Sequence, residues 1–371
     1  MSLGVYIHIP FCKRKCAYCD FLSSDNLQDE ERYLKSLKQE IAYYSNYHKS
    51  DIVDTVFIGG GTPSVLKTGA LSEVMDTLSK SFTFAQHPEI TVEANPDTLT
   101  IDKVSEYSQF ATRVSVGVQS LSDEVLKVAG RLHDKKTALK ALSLLSGTNL
   151  DISCDIILGL PLDSVKGVES TTKTLLDTGI THLSAYGLKV EKGTKFHKLL
   201  ERGEIDFLDD DTVADAYDRV VDIAKSYGLN RYEVSNFAKH GKECKHNIGY
   251  WQRKDYLGLG IGAHSLLNNV RYENTRSINE YLNTQDFVKV RNIESKLTYE
   301  DRLFEEIMLG LRLSDGIDVK NINEKYGIDF YKRFSKPIDK LKRVLECSEQ
   351  KMCVKEQYFY ALNSIIVEFL D

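Results

Sequence analysis

Along the first 230 residues, hydrophobic and polar positions switch repeatedly between two periods. Short apolar, β-branched runs at Val5–Ile9, Thr55–Ile58, Glu89–Glu93, Arg113–Val118, Ile152–Leu158 and His182–Leu188 read as strands buried on both faces. Amphipathic stretches at Glu30–Tyr47, Leu71–Phe82, Lys135–Leu145 and Val168–Thr178 carry the helical period between them. Strands alternating with helices predict an α/β fold, a parallel sheet with helices outside. An open doubly wound sheet and a barrel share this pattern. In either, the chemistry is expected on the loops that follow the carboxyl ends of the strands.

The six loops agree. The first holds Cys12, Cys16 and Cys19, the second Gly59-Gly60-Gly61-Thr62-Pro63, and the third begins at Glu93-Ala94-Asn95-Pro96. Gly117-Val118-Gln119 ends the fourth strand, Cys154-Asp155 lies on the fifth, and Ala185-Tyr186-Gly187 ends the sixth. Beyond residue 230 the alternation stops. An aromatic and glycine-rich stretch, Arg231–Gly262, reads as a small α+β region. From Thr298 helices return (Arg302–Leu313, Asp318–Tyr326, Phe330–Leu345), and two strand-like runs, Met352–Leu362 and Ile365–Leu370, predict a terminal hairpin. Helices closed by a hairpin predict a winged-helix-like module. The expected division is 1–230, 231–296 and 297–371.

Composition changes the picture little: 42% hydrophobic and 27% charged residues support a sizeable core. The net charge of −6 argues against a general nucleic-acid surface. No apolar run reaches the ~18–20 residues of a membrane span. The first strand follows Met1 almost at once, so no targeting peptide is expected. Seven cysteines without a secretory leader fit a reducing, cytoplasmic setting better than a disulfide framework.

Cysteine spacing carries the strongest signal. Cys12-x3-Cys16-x2-Cys19 must converge on one small object, since a chain extends by at most ~3.3–3.6 Å per residue. Structural zinc wants four protein ligands, and this segment offers no paired fourth. Three thiolates instead suit a cubic iron–sulfur cluster with one iron left open for a ligand. Lys13, Arg14 and Lys15 on the same loop read either as a solvated stretch or as cations that favour thiolates and anionic ligands.

With aromatic Tyr18 just before the third cysteine, this motif resembles the radical S-adenosylmethionine (radical SAM) family. The resemblance implies a 4Fe-4S cluster on Cys12, Cys16 and Cys19, S-adenosylmethionine chelating the open iron, an electron donor for the cluster, and a partial (β/α)6 TIM-type barrel. Tyr-Ile-His-Ile-Pro-Phe-Cys at 6–12, Gly-Gly-Gly-Thr-Pro at 59–63 and Gly-Leu-Pro at 159–161 narrow it. They resemble the oxygen-independent coproporphyrinogen III oxidase (HemN) family. By that resemblance Tyr6, Tyr18, Gly60, Gly61, Thr62, Glu93, Gln119, Arg131 and Asp155 bind the cosubstrate.

Two features depart from the oxidases. Phe21 stands where they carry a further cysteine, and only five residues precede Tyr6. The Asp20-Phe21 ending and His246-Asn247-Ile248-Gly249-Tyr250-Trp251 resemble instead the sister family, the heme chaperone HemW. That implies heme on His246 with flat contact from Tyr250 and Trp251, and heme-accepting proteins as partners. Lys245, Arg253 and Lys254 would face propionates, and His264 is a second candidate ligand. Taken alone, a histidine beside aromatics is more often a satisfied core residue. Three functions are therefore weighed: a heme-binding and heme-transfer protein, an oxidase decarboxylating coproporphyrinogen III, and a zinc-stapled interaction module. Whether a radical reaction is catalysed, and whether the chain forms a homodimer, stay open in the sequence.

Overall fold

The computed structural model describes residues 2–370. Six parallel strands form its centre: β1 (Ser2–Ile9), β2 (Ile52–Gly60), β3 (Thr83–Ala94), β4 (Arg113–Gln119), β5 (Asp151–Leu158) and β6 (His182–Gly187). They pair in sequence order, each strand beside the next. Two short strands, β7 (Asn230–Arg231) and β8 (Asn236–Ala238), extend the sheet antiparallel beyond β6. On the other side β9 (Tyr256–Leu259) pairs parallel with β1, followed by β10 (His264–Leu267), β11 (Val270–Asn274) and β12 (Arg291–Lys296). The resulting 12-stranded sheet stays open, a partial barrel.

The outward faces of the strands make the main core. Val5, Ile7, Ile9, Val56, Ile58, Val92, Val114 and Val116 are buried under the helices. The helix Glu30–Ser45 shows why it lies there. Tyr33, Leu37, Ile41 and Tyr44 fall on one face at helical spacing and are all buried. Each such side chain contributes roughly 1.5–3 kcal/mol, so Leu37→Ala alone would cost about 2–5 kcal/mol. Several later helices start on a side-chain cap, as Thr100, Ser122, Asp134 and Ser164 accept from amides three residues on.

The inner faces differ. Thr91, Glu93, Arg113, Ser115, Ser153, Asp155, His182 and Ser184 line a cavity rather than an apolar core. The strands are thus hidden from solvent on both faces, but only one face is packed with hydrocarbon.

The C-terminal part has its own core, including Leu303, Ile307, Ile322, Phe330, Met352 and Ile366. A three-stranded sheet, β13 (Ile317–Asp318), β14 (Leu345–Cys347) and β15 (Lys351–Val354), packs with the helices Tyr299–Gly310, Val319–Tyr326, Phe330–Arg333 and Ser335–Leu341. This is a winged-helix-like arrangement, but its hairpin is β14–β15. The expected terminal strands Met352–Leu362 and Ile365–Leu370 are corrected: after Val354 come a 3-10 turn at Glu356–Ala361 and a helix at Leu362–Val367. Phe359, Leu362, Ile366 and Phe369 recur at helical spacing and are buried, and that period outweighs the β-branched density of the segment.

Candidate functional site

β1 runs into Pro10 and Phe11, and the cysteine loop folds back at once. Cys12 N–H donates to Ser24 O (2.9 Å) and Ser24 N–H to Pro10 O (2.7 Å), closing the loop at its base. Ala17 N–H reaches Ala129 O and Phe196 N–H reaches Ala17 O, both at 2.9 Å, fixing its middle. The glycine loop after β2 is laced to the same strand: Gly61 N–H to Ile9 O (2.8 Å) and Thr62 N–H to Phe11 O (2.7 Å). Only glycine fits here. Gly60 has φ +108°, and a Cβ would fall 2.4 Å from His8 Nδ1; at Gly61 it would fall 2.7 Å from Phe11 O.

These loops surround a cavity of about 550 Å³ at the carboxyl ends of the strands. Cys12, Cys16 and Cys19 line it together with Tyr18, Gly60, Gly61, Thr62, Glu93, Gln119, Arg131 and Asp155. Tyr6 stands behind this wall, its hydroxyl 3.0 Å from His8 Nδ1. Thr62 Oγ1 donates to Cys12 Sγ (3.5 Å) and Arg131 Nη1 to Cys16 Sγ (3.4 Å). The Thr62 hydroxyl on the Cys12 sulfur favours thiolate, the form that binds metal. Burial acts the other way, raising the Cys12 thiol and pushing Cys19 up to about 11. Such thiols ionise when a metal takes the proton's place. The donor set therefore fits an iron–sulfur cluster.

Arg131 is held rigidly. Nη2 donates to Gly117 O (2.6 Å) and to Asn95 Oδ1 (2.7 Å), and Asn95 in turn donates to Thr62 Oγ1 (3.1 Å). Glu93 accepts from Gly60 N–H (3.1 Å), and burial with nearby Asp155 pushes its carboxyl up to about 7. Burial also raises Asp155, which accepts from Ser115 Oγ at 3.0 Å. Gln119 adopts φ +69°, a conformation costly for a residue with a side chain. Two half-buried carboxyls, an amide and an arginine around one polar cavity can hold a ligand bearing an ammonium, hydroxyls and a carboxylate. The basic run of the loop is largely engaged: Lys13 pairs with Asp97 (3.4 Å), Arg14 donates to Gly130 O, and Lys15 to Phe21 O. Phe21 itself is 61% exposed at the mouth.

The histidine motif lies at the opposite, deep end of this cavity, which its Asn247 lines. It forms the short helix Lys245–Trp251 across the amino ends of the strands, beside Gly4 and Thr55. Strand rise places it on the order of 15 Å from the cysteine loop. Glu89 caps this helix, accepting from the amides of Lys245 and His246 at 3.0 Å each, with Arg113 3.6 Å away. His246 is only 3% exposed, and burial drives its imidazole down to about 3, so it is neutral. Its Nδ1 lies 2.8 Å from Thr55 Oγ1 and its Nε2 2.9 Å from the Tyr250 hydroxyl. His246 and Tyr250 line a cleft of about 250 Å³ with Lys245, Lys254 and His87; half-buried Trp251 is not part of that lining. Arg253 does not face it: Glu305 holds its Nε at 2.8 Å and Asn269 its Nη2 at 2.9 Å. His264 is engaged by Glu294 at 3.0 Å.

Asn95 and Asn247 escaped the sequence reading. Asn95 sits in the third loop and ties Thr62 to Arg131; Asn247, in the histidine motif, lines the deep end of the main cavity with Cys244 and His182. Their signals were position after a strand and adjacency to His246, both too weak alone.

Comparison with known proteins agrees with this architecture. The radical SAM superfamily matches residues 6–175 and the HemN C-terminal domain residues 297–356. Heme chaperone HemW of Bacillus subtilis (strain 168) is 34% identical over 87% of this chain and 87% of its own length. Heme chaperone HemW of Escherichia coli (strain K12) is 35% identical over 84% and 82% respectively. Among solved structures, coproporphyrinogen III oxidase (HemN) from Escherichia coli superposes with a TM-score of 0.85 at 20% identity, covering 99% of this chain and 89% of that one, a likeness of fold.

Proposed function

The chain belongs to the heme chaperone HemW family of radical SAM proteins, and from that footing we propose that it is a cytoplasmic protein that binds heme and hands it to acceptor proteins. The single observation that carries the reading is the pairing of an intact three-cysteine cavity with the clefted His246–Trp251 helix in one chain.

In this reading Cys12, Cys16 and Cys19 hold a 4Fe-4S cluster, and the cluster supplies an open iron and one-electron chemistry when bound. Tyr6, Tyr18, Gly60, Gly61, Thr62, Glu93, Gln119, Arg131 and Asp155 hold S-adenosylmethionine. Glu93 and Asp155 take its ammonium or ribose hydroxyls, Arg131 its carboxylate, and the glycine loop brings backbone close. Among the described residues, no three of His, Cys, Asp and Glu are placed to hold a single metal ion. Among the described residues, no helix is long and apolar enough to cross a membrane. We place heme at His246 with Tyr250 and Trp251 beside it, and divide the chain into 1–230, 231–296 and 297–371.

The test is a titration of anaerobically reconstituted protein with heme, alongside an assay for protoporphyrinogen formation under reductant. A tight heme complex, transferable to an apo-acceptor, is expected. Absence of the complex sinks the carrier reading, and protoporphyrinogen formation would install the oxidase in its place.

A further inference from the structure

The inference rests on the reading of Cys12, Cys16 and Cys19 as a cluster site, and it concerns what aims the Thr62 hydroxyl. Asn95 stands between Arg131 and Thr62. An arginine side chain has donors only, so the oxygen of the Asn95 amide faces Arg131 Nη2, at 2.7 Å. The amide nitrogen is thereby turned to Thr62 and donates to its Oγ1 at 3.1 Å. On that side the amide offers Thr62 no acceptor. The single hydroxyl proton goes instead to Cys12 Sγ, 3.5 Å away. A sulfur bound to metal carries no proton and can only accept.

The surroundings hold the chain in this direction. Thr62 is 4% exposed, so its hydroxyl has little access to water. The Asn95 backbone is pinned on both sides: its N–H donates to Ser64 Oγ at 3.0 Å, and its carbonyl accepts from the amides of Thr98 and Leu99 at 3.1 Å each. Arg131 Nη2 is anchored on Gly117 O at 2.6 Å. Gly117 also leaves room for the amide, since a Cβ there would lie 3.2 Å from Asn95 Oδ1. The chain starts at a cation that keeps its proton, and each bond polarises the next.

We propose that Asn95 is a positioning residue for the cluster: its amide sets the direction of a hydrogen-bond chain, Arg131 to Asn95 to Thr62 to Cys12, that keeps a donor on one ligating sulfur and raises the cluster's reduction potential. A hydrogen bond to sulfur stabilises the reduced, more negative cluster more than the oxidised one. Asn95 acts on the sulfur only through Thr62.

Full-length protein is reconstituted anaerobically with iron and sulfide, without S-adenosylmethionine. It is then titrated potentiometrically, the reduced cluster being followed by electron paramagnetic resonance. Asn95→Asp keeps an oxygen for Arg131 but replaces the amide nitrogen by a second acceptor, so the Thr62 proton turns from Cys12 to the carboxylate. Thr62→Val removes that proton outright. In each, reduction should become about three- to tenfold less favourable, a midpoint lowered by about 30–60 mV at 59 mV per tenfold for one electron. Asn95→Asp also adds negative charge, and a double-mutant cycle separates the two effects. In the Thr62→Val background Asn95→Asp should lower the midpoint by less than it does in the wild type. Thr62→Ser keeps the hydroxyl and should show the wild-type potential. Full additivity of the two substitutions, or a wild-type midpoint in cluster-loaded Thr62→Val, overturns the chain and leaves the cluster reading standing. A wild type that takes up no iron and sulfide overturns both. A second readout needs no Thr62 variant: pulsed electron–nuclear resonance in deuterated buffer should show one coupled exchangeable deuteron fewer in Asn95→Asp than in the wild type. Unchanged deuteron couplings contradict the proposal even if Thr62→Val holds no cluster.

Discussion

The two ends of the sheet are built to opposite rules. At the carboxyl ends, charged and polar side chains line an open cavity of about 550 Å³. Half-buried Glu93 is pushed up to about 7 by desolvation and by Asp155, and Gln119 is held at φ +69°. At the amino ends both ring nitrogens of His246 and the first amides of its helix have partners: Thr55 and Tyr250 on the ring, Glu89 on the amides. The first end holds costly groups beside open space; the second has its groups largely satisfied within the chain. A pair of sites that look alike in sequence, each a cluster of ligand-type residues, therefore differ physically in readiness. One borders an open cavity, and the other is closed by hydrogen bonds within the chain.

The comparison breaks most visibly at the cysteines. Replacing Cys12, Cys16 and Cys19 together by Ala should abolish iron and sulfide uptake in anaerobic reconstitution, measured by elemental and sulfide analysis. A variant that still took up iron and sulfide in equal amounts would remove the carboxyl-end site. Next comes the amino end. Glu89→Ala strips the cap from the Lys245–Trp251 helix and leaves Arg113 buried without its carboxylate. The expected loss is about 3–5 kcal/mol in urea unfolding; a change below ~1 kcal/mol would mean that the helix is not held from that side.

Glu93 sharpens the contrast with pH. Its folded-state value of about 7 lies above the usual carboxylate range, so folding favours its protonated form. That stabilisation is full in acid and is lost as pH rises from about 4.5 to 7. Ligand-free Glu93→Gln should therefore be more stable than wild type by ~1–3 kcal/mol at pH 8, with the difference vanishing near pH 4. It should also bind S-adenosylmethionine more weakly. A variant that lost stability at pH 8 would show the carboxylate to be structural. Smallest is Gln119→Gly, which relieves the positive φ and should raise stability by about 1 kcal/mol, read as a shift of the thermal midpoint.

Legibility in the sequence followed the same divide. The six strands, their order of loops and the cysteine trio could be read because each signal is local: a β-branched run, a glycine stretch, a spacing. The glycines at 60 and 61 even announce the close approach of His8 and Phe11. The state of His246 could not be read. Its partners Thr55 and Glu89 lie 191 and 157 residues away, and only the fold brings them under the helix. Arg253 misled for the same reason, since Glu305 that claims it belongs to the C-terminal core region. The polar inner faces of the strands also hid in plain view: alternation was masked by burial on both sides. At the chain end, apolar density at 352–370 looked like strand until its spacing was set by packing.

We infer that cluster chemistry and heme handling occupy separate ends of one sheet. Heme titration of the Cys12→Ala, Cys16→Ala, Cys19→Ala triple variant tests it most directly. Retention of a histidine-ligated heme spectrum at near wild-type affinity in a protein devoid of cluster is the predicted result. Loss of heme binding together with the cluster, in a variant that unfolds with wild-type cooperativity, would contradict it.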